Sequence, residues 1–333
     1  MMERNEAKGY LSTLTSYLKS WADRLSRKLF SKRKTTVLFV FTSAIVFIFF
    51  SMNPVNNPYE SEKLILKEPL VKALPFSVPS PAVYPVMTVK SSPPELTATS
   101  ALVLDLDSAK VLFQKNLDTP LAPASTTKIM TAVVALEAYK LTDVLTVSNL
   151  QTEGSLMGLV EGERISVENL LYGLLVKSGN DAAYVLAASY PSGYEQFIYS
   201  MNKKAEELNM KNTHFVNSSG LPEKNHFTTA RDFSYLTAYA LKNPFFNKII
   251  KTKRINISSV DKVYWHDLES TNSLLGQDWI DGVKTGWTQE AGQCLVASAT
   301  KDKHRVVSVL LNSSDRFGET SSLLNYIFSS YRW

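Results

Sequence analysis

The sequence of 333 residues has one cysteine and four histidines. Cys294 alone cannot form an intrachain disulfide, and its place in the alternating segment QCLVASAT indicates a small core residue on a half-buried strand. The histidines are dispersed, and the sequence contains neither a His-x-x-x-His nor a Cys-x-x-Cys pair. We therefore expect no metal site, and nothing in the sequence implies a cofactor.

An excess of charge is also lacking over most of the chain. The net charge of +5 reflects 36 Lys and Arg against 31 Asp and Glu, but residues 1–34 alone hold nine basic and three acidic residues. The other 299 residues therefore hold 27 basic and 28 acidic residues. Because the basicity is confined to an N-terminal tail, the sequence predicts no nucleic-acid partner.

A long hydrophobic run follows this tail directly. Residues 35–52 (TTVLFVFTSAIVFIFFSM) are 18 residues without a charge, close to the shortest helix that crosses a bilayer. Lys32, Arg33 and Lys34 precede the run, and positive residues there keep the N-terminus in the cytoplasm. A cleaved signal peptide is the alternative, but no Ala-x-Ala-like site follows Phe50. We therefore expect an uncleaved signal anchor with the remainder of the chain outside.

Two further segments flank the predicted transmembrane helix. Residues 53–98 hold nine of the fourteen prolines, a composition typical of an extended linker, although short apolar patches such as 64–66 could dock on a folded domain. Residues 1–34 have the pattern of a basic amphipathic helix on the inner membrane face, with a frayed tail as the alternative. The apolar residues of that pattern are Leu11, Leu14, Leu18, Trp21, Leu25 and Leu29.

Residues 99–333 have the pattern of a folded domain. Two early and three late β-like segments predict a mostly antiparallel five-stranded sheet, and the helices between them predict an inserted helical subdomain at about 148–250. The predicted fold class is therefore α/β, of the α+β type. The β-like segments are 101–107, 110–114, 280–285, 294–300 and 306–312, and the helical ones are 124–139, 167–177, 181–189, 194–208, 230–242 and 321–331.

Three short motifs follow one another in this domain: Ser125-Thr-Thr-Lys128, Ser178-Gly-Asn180 and Lys284-Thr-Gly286. Ser-x-x-Lys occurs six times and Ser-x-Asn four times in the chain, so neither identifies a function alone, whereas Lys-Thr-Gly occurs once. A serine hydroxyl needs a neighbouring base to become nucleophilic, and residues three apart on a helix share a face. Ser125 and Lys128 are therefore a candidate nucleophile and base, close to the positive end of a helix dipole.

The other two motifs would supply the surroundings of that pair. Lys128 can act as a base near neutral pH only if its pKa falls, and burial beside a second cation, Lys284, would lower it. Gly286 would let a substrate approach the strand edge, and Trp287 would offer its N–H to an oxyanion hole. Ser178-Gly179-Asn180 lies between two predicted helices, where a turn could direct both side chains into a cleft. Taken alone, such a tripeptide is more often a helix stop.

The chain resembles the serine-type D-alanyl-D-alanine carboxypeptidases, which are low-molecular-mass penicillin-binding proteins of bacterial wall metabolism. This resemblance implies a DD-peptidase/β-lactamase-like fold, with Ser125 as the acylated nucleophile and Lys128 as its general base. It implies Ser178 and Asn180 in proton relay and substrate positioning, and Lys284 with Thr285 in binding the terminal carboxylate of D-alanine. The runs that carry it are PASTTKIMTA (123–132), LLYGLLVKSGNDAA (170–183), NSSGLPEKNHFTTARD (217–232) and DGVKTGWTQEAGQCL (281–295).

The resemblance also implies partners and a location. The substrates would be peptidoglycan stem peptides ending in D-Ala-D-Ala, and β-lactams would be covalent inhibitors. The protein would cross the bacterial cytoplasmic membrane once, with its catalytic domain extracytoplasmic and the N-terminal span in place of the C-terminal anchor of many relatives. Trp287 stands where relatives often have histidine, and His226 matches a family position but is expected to be structural.

Three alternatives remain beside the carboxypeptidase interpretation. A β-lactamase of class A would have Ser-Asp-Asn as its middle motif and a carboxylate four residues before an Asn, whereas this chain has Ser-Gly-Asn and, four residues before Asn209, Ala205. A non-enzymatic wall-binding or β-lactam-sensing domain would not need the Ser125–Lys128 pair. A DD-endopeptidase would use the same residues as a carboxypeptidase, so the sequence leaves that alternative open.

Overall fold

Eleven strands and seven α-helices are found in the part of the chain that this computed structural model describes, residues 84–89, 92–277 and 279–333. The strands are β1 (Val86–Met87), β2 (Ser100–Asp105), β3 (Val111–Lys115), β4 (Val144–Thr146), β5 (Arg164–Ser166), β6 (Arg254–Ser258), β7 (Trp265–Glu269), β8 (Ile280–Thr288), β9 (Gly292–Lys301), β10 (His304–Ser313) and β11 (Tyr331–Arg332). The helices are α1 (Lys128–Ala138), α2 (Val167–Leu175), α3 (Asn180–Ala188), α4 (Tyr194–Glu207), α5 (Ala230–Ala240), α6 (Pro244–Ile250) and α7 (Arg316–Ser330).

The central sheet has the strand order β3-β2-β10-β9-β8, and every neighbouring pair is antiparallel. These are the five strands that the sequence predicts, so the five-stranded antiparallel sheet is confirmed. All six residues of β2 are buried, as is most of β9 and β10. Burial on both faces explains why these segments read as nearly continuous apolar runs. The edge strand β8 carries Lys284-Thr-Gly286.

Helices cover both faces of this sheet. On one face, Val103, Leu295 and Leu310 pack with Leu323 and Ile327 of α7. On the other face, the sheet side chains join a larger core that includes residues of α1, α2, α3 and α5. The helices α2 to α6 lie between β5 and β6 in the chain, as the predicted helical insertion requires.

Several short elements of the structure were not predicted from the sequence. The hairpins β4–β5 and β6–β7 have strands of three and five residues, and α6 has seven residues, all too short for a clear periodic pattern. The last helix was expected from residue 321 but begins at Arg316, because the side chain of Asp315 accepts a hydrogen bond from the Gly318 N–H and caps the helix five residues earlier.

The described residues before β2, which the sequence assigns to the end of the linker, are part of the folded unit. β1 pairs with β11 at the other end of the chain. Glu319 of α7 accepts hydrogen bonds from the backbone N–H groups of Thr97 and Ala98 and from the Thr97 hydroxyl. The predicted cytoplasmic tail (1–34), signal anchor (35–52) and most of the linker lie outside the described residues. Among the described helices, none has the length and apolar character of a membrane span.

We predict that Glu319→Ala lowers the free energy of unfolding by about 2–3 kcal/mol, because buried donors at Ala98 and Ser313, and the donors of Thr97 beside them, lose a charged acceptor. Urea denaturation of the variant measures this loss. The control is Glu206→Ala, at an exposed position of α4, which should change stability by less than about 0.5 kcal/mol. Equal unfolding midpoints for the two variants would show that Glu319 does not anchor the segment.

Candidate functional site

Ser125 lies in a single 3₁₀ turn, Ala124–Thr127, that leads directly into α1. The sequence predicted an α-helix from about residue 124, whereas the α-helical geometry starts at Lys128. In a 3₁₀ turn the side chains at positions i and i+3 eclipse each other, so the turn stacks Lys128 over Ser125. Lys128 Nζ lies 3.0 Å from Ser125 Oγ.

The contacts of Lys128 show which oxygen atoms accept hydrogen bonds from its amine. Besides Ser125, Nζ lies 2.7 Å from Asn180 Oδ1 and 2.7 Å from the Ser219 carbonyl oxygen, and the side chain is 0% exposed. The Asn180 amide is oriented by its Nδ2, which donates to the Glu153 carbonyl at 2.8 Å. Both Asn180 Oδ1 and the Ser219 carbonyl can only accept. A neutral Lys128 amine therefore gives its two N–H bonds to these oxygens and directs its lone pair at the Ser125 hydroxyl.

The electrostatic surroundings favour that neutral amine. Burial lowers the pKa of Lys128 well below its ordinary value, and the positive charge of Lys284 lowers this pKa further. The carboxylate of Asp181 acts in the opposite direction and raises the pKa. The lowering influences are the stronger, so Lys128 is the group in the site that is poised to accept a proton.

Lys284 forms the second half of the site, on the edge strand β8. Its Nζ donates to Ser178 Oγ at 2.9 Å and to the Thr285 carbonyl at 2.9 Å, and the side chain is 1% exposed. A protonated amine has three N–H groups, and the third has no partner among the described residues. Burial, together with the positive charge of Arg316, lowers the pKa of Lys284 to about 7. Lys284 can thus carry a charge near neutral pH and offer one N–H to an anion.

The Ser178-Gly179-Asn180 turn connects the two halves. Asn180 is the first residue of α3 and contacts Lys128, whereas Ser178 contacts Lys284. Ser178 has a φ of +65°, a left-handed conformation that costs about 1 kcal/mol for a residue other than glycine. This conformation places the two side chains of one turn against two different lysines.

Two glycines press against the turn that carries Ser125. Gly220 has a φ of +86°, and a Cβ there would lie 1.9 Å from the Ala124 carbonyl oxygen. A Cβ on Gly286 would lie 3.1 Å from both the Pro123 carbonyl oxygen and the Ser125 nitrogen. The sequence interpretation assigned Gly286 to close approach of a substrate, and the structure adds a second reason. A side chain at 286 would push against the backbone that positions the nucleophile.

Sequence reasoning missed two charged residues of the site. Asp181 follows Asn180 directly, and its buried carboxylate accepts hydrogen bonds from the backbone N–H groups of four residues, Met157, Gly158, Leu159 and Ala182. Arg316 donates to the Gly286 carbonyl at 2.8 Å. An aspartate at the start of a helix beside Ser-Gly-Asn was a signal that could have been used. Arg316 could not be found because the sequence placed it before the last helix.

The structure also places four other residues that the sequence analysis singled out, Thr285, Trp287, His226 and Cys294. The hydroxyls of Thr285 and Thr271 lie 2.6 Å apart, and the Trp287 side chain is 64% exposed at the end of β8, where its part in an oxyanion hole stays a prediction. His226 packs behind the nucleophile turn, where its Nε2 contacts Thr127 Oγ1 at 2.9 Å, and burial lowers its pKa to about 4. Cys294 is fully buried on β9.

Known proteins are similar to this chain over most of the domain that carries the site. A family model described as D-alanyl-D-alanine carboxypeptidase, peptidase family S11, matches residues 87–315. D-alanyl-D-alanine carboxypeptidase DacF of Bacillus subtilis (strain 168) is 37% identical over 246 residues, which cover 70% of this chain and 63% of that relative. The chain therefore spans less than two thirds of the length of this relative. A D-alanyl-D-alanine endopeptidase of Escherichia coli (strain K12) is 33% identical over 267 residues, which cover 78% of this chain and 86% of that relative.

Solved structures show the same similarity. The Streptomyces K15 DD-transpeptidase superposes with a TM-score of 0.68 at 32% identity, covering 72% of this chain and 100% of that one. Penicillin-binding protein D2 from Listeria monocytogenes in the ampicillin-bound form gives a TM-score of 0.63 at 30% identity, covering 71% and 100%. On the family match, these identities and the shared fold, the chain belongs to the D-alanyl-D-alanine carboxypeptidase family, peptidase family S11.

Proposed function

We propose that the protein is a serine DD-carboxypeptidase that removes the terminal D-alanine from peptidoglycan stem peptides through an acyl-enzyme on Ser125. The observation that carries this proposal is the hydrogen-bond arrangement of Lys128. Its two N–H groups are engaged by acceptor-only oxygens, so its lone pair faces the Ser125 hydroxyl at 3.0 Å. A lysine that is only structural would not need this orientation.

Acylation starts when the Ser125 oxygen attacks the carbonyl carbon between the two D-alanines. Its proton passes to Lys128 Nζ, and the carbon–nitrogen bond of the tetrahedral intermediate then breaks. D-Alanine leaves after its amine receives the proton that Lys128 took from Ser125, for which Ser178, hydrogen-bonded to Lys284, is the proposed relay, and Lys128 is then neutral again. Water then attacks the ester, Lys128 takes the proton of the water, and Ser125 regains its hydrogen as the shortened peptide leaves.

Substrate orientation follows from the charges. The unused N–H of Lys284 and the Thr285 hydroxyl are the proposed binding groups for the terminal carboxylate of D-alanine, with Arg316 adding positive charge. Asn180 is proposed to position the acyl part of the peptide on the other side of Ser125. β-Lactams, which also carry a carboxylate beside a reactive carbonyl, are expected to acylate the same serine, as the penicillin-binding relative in its ampicillin-bound form suggests.

The same site bears on the alternative functions. Relatives that are D-alanyl-D-alanine endopeptidases support an activity on cross-linked peptides as the second candidate, because it needs no other catalytic group. For a class A β-lactamase, the Glu206-to-Asn209 segment offers no water-activating carboxylate, since Glu206 is exposed at the end of α4. A sensing domain would bind penicillin without releasing D-alanine.

Localisation is part of the proposal. We infer from the uncharged run at 35–52 and the basic residues before it that a single N-terminal helix holds the protein in the bacterial cytoplasmic membrane. The catalytic domain would then lie on the extracytoplasmic side, where its proposed substrate is found.

We predict that Ser125→Ala abolishes covalent labelling by a fluorescent penicillin, because the acyl acceptor is removed. Gel fluorescence of the wild type, of this variant and of Ser200→Ala measures the labelling. Ser200 is in α4 and should label like the wild type. Labelling that survives in Ser125→Ala would reject the assigned nucleophile, and labelling of the wild type without release of D-alanine from a pentapeptide would favour a sensor.

We predict that two substitutions shift the acid limb of the pH profile of the acylation rate in opposite directions. Asp181→Asn removes a negative charge that raises the pKa of Lys128, so the neutral base should persist to lower pH and the limb should shift to lower pH. Lys284→Gln removes a positive charge that lowers the pKa of Lys128, so the limb should shift to higher pH, with a rate reduced about a hundredfold by the lost carboxylate contact.

Stopped-flow acylation by penicillin between about pH 5 and pH 10 gives both limbs. In the wild type, the rate should also fall on the alkaline side as Lys284, with a pKa of about 7, loses its charge. Loss of packing alone would lower the amplitude of acylation without shifting the acid limb of its pH profile. Shifts of the two variants in the same direction would contradict Lys128 as the base.

A further inference from the structure

A second threonine hydroxyl adjoins the proposed carboxylate-binding group. Thr271 Oγ1 lies 2.6 Å from Thr285 Oγ1, and neither hydroxyl has another hydrogen-bond partner among the residues that the structure describes. Thr285 is a buried residue of β8, whereas Thr271 is exposed and follows the end of β7 by two residues. The contact therefore joins a solvent-facing side chain to a group inside the site. The proposed proton transfers do not use it.

Contacts of the neighbouring backbone hold Thr271 in this position. Its N–H donates at 3.3 Å to the carbonyl of Val176, the residue two before Ser178. The next residue, Asn272, is buried, and its Oδ1 accepts a hydrogen bond from the Leu274 N–H at 3.1 Å. Thr271 is therefore fixed between the turn that carries Ser178 and the edge strand β8.

The number of hydrogens in the pair determines which hydroxyl donates. Each threonine hydroxyl has one hydrogen to donate, and a carboxylate can only accept. When Thr285 binds a carboxylate, its single hydrogen is used for that contact. The 2.6 Å contact is then a hydrogen bond only if Thr271 donates to Thr285 Oγ1. The result is a chain of two hydroxyls in which Thr271 donates to Thr285 and Thr285 donates to the ligand.

Such a chain affects the direction and the strength of the contact with the carboxylate. The ammonium group of Lys284 is a compact charge that attracts an anion from several directions, whereas a hydroxyl donates along one direction. Linked hydroxyls also polarise one another, so Thr285 is a better donor when its oxygen accepts from Thr271. Removal of the Thr271 hydroxyl would leave the buried Thr285 oxygen without this donor in the ligand-bound state.

We propose that Thr271 is a positioning residue for carboxylate recognition, which donates its hydroxyl hydrogen to Thr285 Oγ1 and so directs the Thr285 hydrogen at the carboxylate of the substrate. The inference rests on the proposed carboxypeptidase function, because it assigns a residue to the recognition step of that reaction. Thr271 acts through Thr285 and takes no part in proton transfer. Its effect is therefore confined to ligands that carry a carboxylate.

The test compares two substrates that differ only in this group: the thioester of an N-acyl-D-alanine with thioglycolate, and the methyl ester of the same thioglycolate. Thiol release by the full-length protein gives kcat/KM for each, and the ratio of acid to methyl ester measures carboxylate recognition. Thr271→Val keeps the branched shape but removes the hydroxyl. It should lower this ratio about three- to tenfold, as the loss of one neutral hydrogen bond implies.

Two further variants serve as controls. Thr271→Ser retains the hydroxyl and should keep the ratio within about twofold of the wild type. Ser273→Ala, at an exposed position of the same segment, should leave the ratio unchanged. The ratio does not depend on the fraction of active protein. If Thr271→Val lowers kcat/KM equally for both substrates, or lowers neither, Thr271 has no positioning role.

A double variant determines whether Thr271 acts through Thr285. Thr285→Val should lower the ratio, and Thr271→Val/Thr285→Val should lower it no further, because the second hydroxyl then has nothing to orient. A further fall of about threefold or more in the double variant would show that Thr271 binds the carboxylate directly, which would overturn the proposal.

Failure of the underlying function gives a different result. If a pentapeptide releases no D-alanine, the carboxypeptidase function is wrong. The acylation rates of benzylpenicillin and of its methyl ester then supply the same ratio without turnover. A ratio that falls in Thr271→Val and is retained in Thr271→Ser would support the positioning role, and an unchanged ratio in Thr271→Val would reject it.

Discussion

Two lysine amines are buried in one site, and the fold must offset the cost of burying them. Lys128 and Lys284 are 0% and 1% exposed. An isolated ammonium group in a protein interior costs several kcal/mol, so each amine must become neutral or form hydrogen bonds. Burial and the positive charge of Lys284 together hold the pKa of Lys128 well below its ordinary value. The burial that makes Lys128 a suitable base therefore also has an energetic cost, which contacts elsewhere in the fold must offset.

The fold meets this constraint with groups from distant parts of the chain. Lys128 comes from the start of α1, Asn180 from the start of α3, the Ser219 carbonyl from a turn and Lys284 from the edge of the sheet. Asp181 ties the start of α3 to the 157–159 loop through backbone hydrogen bonds, and so fixes the residue next to Asn180. Because no one element holds the site, its geometry needs the complete packing of sheet and helices.

Local rules account for the parts that could be predicted from the sequence. The spacing of Ser125 and Lys128 needs one helical turn, and the five sheet strands are long enough to give a pattern. The hairpins β4–β5 and β6–β7, with strands of three to five residues, are held by tertiary contacts, one of which is the Glu163–His266 pair at 2.8 Å. Arg316 and the Ser219 carbonyl act on the lysines through space, and no motif in the chain marks such a contact.

The hydrogen bonds of Asp181 and Lys128 also constrain the proposed deacylation step. The buried carboxylate of Asp181 accepts four backbone N–H groups, so its oxygens are occupied and it is unsuited to activate a water. Once Ser125 is an ester it has no hydrogen to donate, and the Lys128 lone pair is again free while its two N–H groups stay on Asn180 and Ser219. A water entering beside the ester would find this lone pair where the serine hydrogen had been. One amine therefore suffices as the base for both steps.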